Sequence, residues 1–424
     1  EIYPGDWSSD VCSSDLSKVS KEETLKARIL DEYLIDKYQP KEKRIKLKPI
    51  KDDEKAYNTL YNAGADNIPD STLTANYEYF RERVMNSSLS IDDLFAAIRR
   101  LEVIDISLNS DDDPQLIFES LNSTGLDLNE GDKIRNYVLM GLPKNKQETY
   151  YENYWNPIEI NANYQVDAFI RDFLSMRRLR VPNIGKVYAA FKDYLEDKQI
   201  VDIEPVLDDL KKYSARYKIL LNGTGEDDAL DWCIFRLNKL ETNVTRPFFL
   251  EVLRLFEENR ITKEETTEIF RTVETYIFRR IICDVPTNAL NKIFVSLHND
   301  IMRYDGTADG YLAKMKYALT NKRESGRFPS DEEFCESLAN RNIYRMRAKN
   351  IKYFFERLEN ASTKETKAVW KHLENGDYSV EHIMPQSMPD KWRSDLKQDG
   401  DPDEIHEIWL HYPEIGRASC RERV

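Results

Sequence analysis

Thr267–Cys283 reads TEIFRTVETYIFRRIIC. Its Ile269, Phe270, Val273, Tyr276 and Ile277 recur at three- and four-residue spacing, the stripe of a helix that buries one face. The same spacing runs through AFIRDFLSMRRL at 168–179, RPFFLEVLRLFEEN at 246–259 and IKYFFERLEN at 351–360. From about Pro143 to Glu365 little else is present, so the fold class is mainly α with a large helical middle. DVPTNALNKIF at 284–294 interrupts the pattern with a Pro-Thr-Asn turn, after which a helix restarts. No fixed-period repeat is evident, so a solenoid is not expected.

A chain of 424 residues, 41% hydrophobic and 33% charged, is long enough for two or three domains. No run of about 18 apolar residues and no secretory signal occurs, so neither a membrane span nor export is expected, and the cytoplasm is the expected location. EIYPGDWSSDVCSSDL at 1–16 and EIGRASCRERV at 414–424 resemble translated sequencing-adapter sequence. Both are set aside as one sets aside tags, leaving native sequence at about 17–413 and an expectation of truncation at both ends. The net charge is -14; removing four acids with the first end, and three arginines and two acids with the second, leaves -11. That balance gives no global attraction to nucleic acid. Of five cysteines, Cys12 and Cys420 fall in the ends, while Cys233, Cys283 and Cys335 are scattered without metal or disulfide spacing.

Nearer the N-terminus, Ser20-x-x-Glu23 has capping-box spacing, and Leu25, Ile29, Leu30, Tyr33 and Leu34 predict a helix to about Tyr38. KRIKLKPI at 43–50 alternates as a half-exposed strand, 52–100 looks helical around a looser stretch at 62–74, and LEVIDISL at 101–108 reads as a second strand. An acidic turn at 109–114 and a short helix around QLIFESL follow. Gly125 suits a helix exit, and Asn129 and Asp132 suit the start of the next helix.

DYSVEHIMPQSMPDKW occupies 377–392. Tyr378 and Val380 alternate with Ser379 and Glu381 as in a strand, which Pro385 ends because it cannot donate to a ladder. His382 then lies at the strand end. A neutral imidazole there can take a proton from water, and a neighbouring carboxylate can hold a hard cation, the two functions of metal-assisted phosphodiester hydrolysis. From spacing alone, a strand-end histidine bonded to backbone, beside an exposed glutamate, is the favoured reading, since an isolated dipeptide is a weak motif.

VEHIMPQS resembles the first strand of an HNH, or ββα-metal, nuclease. The resemblance implies that Glu381 binds the metal, that His382 is the general base, and that Pro385 and Gln386 shape the turn, with Trp392 and Trp409 as packing residues. PQLIFESLNSTGLDLNEGDKIRNYVL at 114–139 is similar to the second block of the N-terminal domain of GmrSD-type modification-dependent restriction endonucleases, a ParB- and sulfiredoxin-like domain that handles nucleotide. Phe118, Asn122, Gly125, Leu128, Asp132, Ile134 and Asn136 are the matching positions. The implied organisation is a partial nucleotide-handling domain at 17–142, a small α+β remnant; a helical domain at 143–365; and an incomplete HNH unit at 366–413.

For such a protein the resemblance implies cleavage of foreign, modified-base DNA, with Mg2+ or a similar divalent metal at the nuclease and a nucleoside triphosphate at the first domain. DNA is the implied partner. Asn122 and Asp132 are candidates for the nucleotide pocket, although capping and turn formation account for both. The family's Asp-Gly-Gln-Gln-Arg motif is absent from this sequence, as is the Gly-Asn-Leu strand after the HNH turn, so the fragment is expected to bind metal poorly and to be inactive. Two other readings stand beside this one: a non-catalytic helical interaction protein with a vestigial HNH hairpin, and an HNH-type RNA nuclease. His406 and His411 resemble histidines that precede the missing strand and are left unassigned; His298 and His372 are expected to be structural. Arg177, Arg178, Arg180, Arg279 and Arg280 could meet phosphates, or pair with acids on solvated helix faces.

Overall fold

In the computed structural model, residues 24–40, 44–47, 49, 51–61, 70–103, 117, 128–140, 142–226, 228–240, 242–361, 368–382, 385, 387–409 and 413–417 are described; for 51, 52, 61, 144, 145, 381, 382 and 413–417 the description covers backbone alone. The chain forms two units, residues 1–109 and 110–424.

In the first unit, α1 (Leu25–Ile29) continues as a π-helical turn over Leu30–Leu34, and Ile35 leaves it extended. The helix therefore stops short of Tyr38. Ile35 instead pairs with Ile45 in an antiparallel bridge, flanked by Asp36 N–H donating to the Arg44 carbonyl at 2.7 Å and Lys46 N–H to that of Leu34 at 2.9 Å. Of the strand expected over 43–50, the described residues thus show one bridge. Three helices follow, α2 (Lys51–Tyr61), α3 (Thr72–Met85) and α4 (Ile91–Ile98). The Ser71 and Ser90 hydroxyls cap the latter two, each accepting a backbone N–H three residues on at 3.1 Å. Leu101–Val103, the described part of the second expected strand, is exposed and has no ladder partner among the described residues. A strand needs a partner for its backbone groups, and alternation cannot supply one. The rest of that stretch, the capping box at Ser20–Glu23 and the turn at Gly125 lie outside the described residues.

The second unit opens with α5 (Glu130–Met140), α6 (Lys144–Tyr150) and α7 (Asn156–Asn161). Then come α8 (Val166–Arg178), α9 (Val187–Asp197), α10 (Glu204–Asn222) and α11 (Ala229–Lys239). They are followed by α12 (Arg246–Glu257), α13 (Lys263–Ile282), α14 (Leu290–Met302), α15 (Tyr311–Thr320), α16 (Asp331–Asn340) and α17 (Ala348–Asn360). The expected mainly α fold is what forms. α12 lies at the centre, packed by α8, α10, α13 and α14. It is buried nearly all round, and Phe248, Phe249, Leu250, Val252, Leu253 and Leu255 are each at most 2% exposed. Phe249 stacks on Phe270 of α13 with ring centroids 3.8 Å apart.

α13 starts in a capping box between Thr262 and Glu265 and stops at Ile282, where Asp284 turns to φ 54°. Pro286 and a 3-10 turn at Thr287–Ala289 then launch α14, the interruption expected from DVPTNALNKIF. α5 contributes Ile134 and Val138 to the same core. Gly131 on α5 is held close to α8: a Cβ there would lie 3.0 Å from the Val166 Cβ. No helix among the described residues is long and apolar enough to cross a membrane.

One acid in this core makes stability depend on pH. Asp172 on α8 is 9% exposed, and burial, opposed by Arg246 and Arg171, pushes its carboxyl from 3.8 up to about 7. An acid whose folded pKa is raised keeps its proton longer in the native state. Its favourable contribution is complete below 3.8 and is lost as pH climbs through about 7. Asp172→Asn is therefore predicted to flatten the fall in thermal midpoint between those pH values and to stabilise the protein at pH 8. Parallel curves for the two proteins would show that Asp172 ionises freely.

Candidate active site

The route to the candidate site begins at α18 (Val369–Glu374), which packs on α17. Trp370, 7% exposed, enters the main core, and both its indole N–H and the Lys239 ammonium donate to Glu374. Asn375 and Gly376, the latter at φ 78°, turn the chain into β1 (Tyr378–His382). The strand begins where the sequence placed it and ends at His382.

Its start is braced by His372. The imidazole Nδ1 lies 3.0 Å from the Asp377 carboxylate, and the ring lies 4.7 Å from that of Tyr378. Along its length β1 pairs antiparallel with β2 (Pro413–Arg417), in a register that sets Val380 opposite Ile415, Glu381 opposite Glu414 and His382 opposite Pro413. Residues 414–417, set aside in the sequence reading, thus supply the partner strand.

Between the strands lie α19 (Asp390–Leu396) and α20 (Pro402–Trp409), packed on each other. Asp401 caps α20, accepting from Asp403 N–H at 2.9 Å. Arg393 of α19 grips Asp403 with both terminal guanidinium nitrogens, at 2.9 and 2.8 Å, and this hydrogen bonding holds the Asp403 carboxyl below the usual carboxylate range. One turn on, His406 Nε2 donates to the Pro385 carbonyl at 2.8 Å. Trp392 is half-buried, in keeping with a packing role, whereas Trp409 at the end of α20 is 46% exposed. The half-buried side of that helix is carried by Ile405 and His406.

Asn122 and His411 lie outside the described residues. Asp132 sits in the first turn of α5, where the Asn129 side chain caps its N–H at 2.7 Å and its carboxylate pairs with Arg135 at 3.1 Å. Arg135 also reaches buried Glu159 at 3.0 Å, which accepts the Trp155 indole N–H at 2.8 Å. His298 is bonded to the Tyr311 hydroxyl at 2.9 Å, and burial pushes its pKa down. Most of the arginine clusters meet acids. Arg177 pairs with Asp209, Arg178 with Asp197 and Asp193, and Arg279 with Asp331. Arg280 is buried and donates to the carbonyls of Pro286 and Arg327.

Two clefts on the helical unit, about 510 Å³ beside Trp232 and Phe235 and about 520 Å³ beside Ile200 and Val201, include no residue of β1 in their walls. Cys233 is buried, which pushes its thiol up to about 11; it, Cys283 and Cys335 are free.

Comparison with known proteins bears directly on this strand. Residues 328–414 match the C-terminal domain of the GmrSD restriction endonucleases, and residues 10–139 match the GmrSD restriction endonuclease N-terminal domain. A chain carrying both domains in that order, with β1 inside the C-terminal one, is of the restriction endonuclease class. It belongs to the GmrSD restriction endonucleases. No curated protein and no solved structure matches it.

Proposed function

We propose that the C-terminal segment, residues 366–413, carries the first strand of an HNH-type nuclease unit that hydrolyses DNA phosphodiester bonds, with His382 as general base. The observation carrying this reading is that Glu381 and His382 form the last two residues of a paired strand within the matched C-terminal domain. His382 takes a proton from water as that water attacks phosphorus, and the sugar oxygen on the far side of phosphorus departs. Glu381 offers carboxylate oxygen, the donor a hard cation prefers, and would hold Mg2+ or a similar ion. When bound, that ion supplies positive charge to the phosphate oxygens and the departing oxygen. Among the described residues no group of three or more His, Cys, Asp or Glu is placed to hold an ion.

Residues 17–142 form, in this reading, the nucleotide-handling part, with Asn122 and Asp132 as its contacts, and the helical middle at 143–365 joins it to the nuclease. The preferred substrate is foreign DNA carrying modified bases. Incubating the protein with modified and unmodified plasmid, and with tRNA, in magnesium or EDTA, with and without nucleoside triphosphate, tests each element. Magnesium-dependent cutting confined to DNA supports the assignment, and cutting of tRNA alone would move it to RNA. A helical interaction protein without catalysis is not favoured, since both matched domains are those of restriction endonucleases.

A further inference from the structure

We propose that His406 is a positioning residue that fixes the chain where it leaves the catalytic strand, an inference that rests on the nuclease reading of β1. Pro385 follows His382 by three residues and has no N–H, so its carbonyl is its one backbone hydrogen-bonding group. That carbonyl can only accept, and His406 Nε2 lies 2.8 Å from it, so Nε2 carries the proton.

The donor is itself held. Asp403, one turn earlier on the same helix, is gripped by both terminal guanidinium nitrogens of Arg393 on α19, at 2.9 and 2.8 Å. Force therefore passes from α19 through Arg393 and Asp403 to α20, and through His406 to the exit of β1. His372 braces the opposite end of the strand through Asp377 at 3.0 Å. The strand is held at its start, along its ladder and just beyond its end. A site built on such a strand gains from the last of these braces, because a displacement of about 1 Å at reacting groups costs on the order of 100-fold in rate.

The test compares His406→Ala, His406→Gln and His406→Asn in the full chain, cutting plasmid DNA in magnesium. A glutamine amide nitrogen falls where imidazole Nε2 lies, and an asparagine nitrogen falls where Nδ1 lies. His406→Ala should lower kcat by about 10- to 100-fold with KM for DNA unchanged. His406→Gln should restore most of the loss, and His406→Asn should not. An unchanged kcat in His406→Ala, or equal rescue by asparagine and glutamine, would overturn the proposal.

A second measurement separates this idea from the nuclease reading. Imidazole nitrogen NMR should find His406 protonated at Nε2 with slowed exchange, and His406→Ala should hasten amide exchange at Glu381 and His382. A freely exchanging imidazole with unchanged amide exchange sinks the positioning role even if DNA is cut. If the wild-type chain cuts nothing while the NMR result holds, the nuclease reading fails and the brace stands.

Discussion

His382→Ala is expected to lower magnesium-dependent DNA cleavage by about 100- to 10,000-fold, the range lost when a positioned general base is removed. Folding should survive, because β1 is joined to β2 through backbone groups and the strand keeps its register whichever side chain stands at 382. Circular dichroism and the unfolding midpoint should accordingly match wild type. DNA affinity should change little, since the imidazole acts on water. Added imidazole should restore part of the rate, an effect that a purely structural histidine would not produce. Cleavage at the wild-type rate in the variant would refute the assignment. Glu381→Gln makes the complementary case: the magnesium concentration for half-maximal cleavage should rise, because an amide oxygen is a weaker ligand for a hard cation.

How far this could be read from sequence follows the range of the interactions involved. Helix stripes such as Ile269–Val273–Ile277 are local and carry their own period, so the large helical middle was legible without knowing what each stripe packs against. The same holds for the Asn129 cap and for β1, whose alternation and following Pro385 mark both strand and end. Alternation says nothing of a partner: of the strand expected over 43–50 the described residues show one bridge, and of the one expected over 101–108 the described part, 101–103, has no ladder partner among the described residues. The partners of the arginine clusters were equally invisible. Arg177 and Asp209 are 32 residues apart, and nothing local links them. His406 stays unassigned in the sequence because a helical histidine ordinarily faces solvent, and its partner, the Pro385 carbonyl, lies 21 residues away.

The largest stability effect is expected from a pair that sequence reading did not identify. Arg236 of α11 donates from Nε to the Glu274 carboxylate of α13 at 2.5 Å and from Nη2 at 3.1 Å, and Glu274 is 3% exposed. Tyr353 of α17 completes the carboxylate's shell with a hydrogen bond of 2.6 Å. Burial works against the Arg236 charge, but Glu274's hydrogen bonds and charge outweigh it and hold the guanidinium above its ordinary pKa. Removing one partner leaves the other charged in a setting with little water. Arg236→Ala is predicted to destabilise the helical unit by about 3–5 kcal/mol. Tyr353→Phe removes a single hydrogen bond to a charged group and should cost about 1.5–3 kcal/mol. Replacing both members of the pair, as Arg236→Met with Glu274→Met, should recover much of the loss, because apolar packing can take the place of a buried ion pair once neither charge is stranded. Denaturant unfolding of the three variants checks this. A double variant as unstable as Arg236→Ala would mean that side-chain volume, not the stranded charge, sets the cost. The pair also bears on the nuclease unit, since α17 carries Tyr353 and packs directly on α18, the helix that feeds β1. Arg236→Ala should therefore loosen α17 and α18 before the rest of the helical unit, seen as faster amide exchange across 348–374 at temperatures well below the global midpoint.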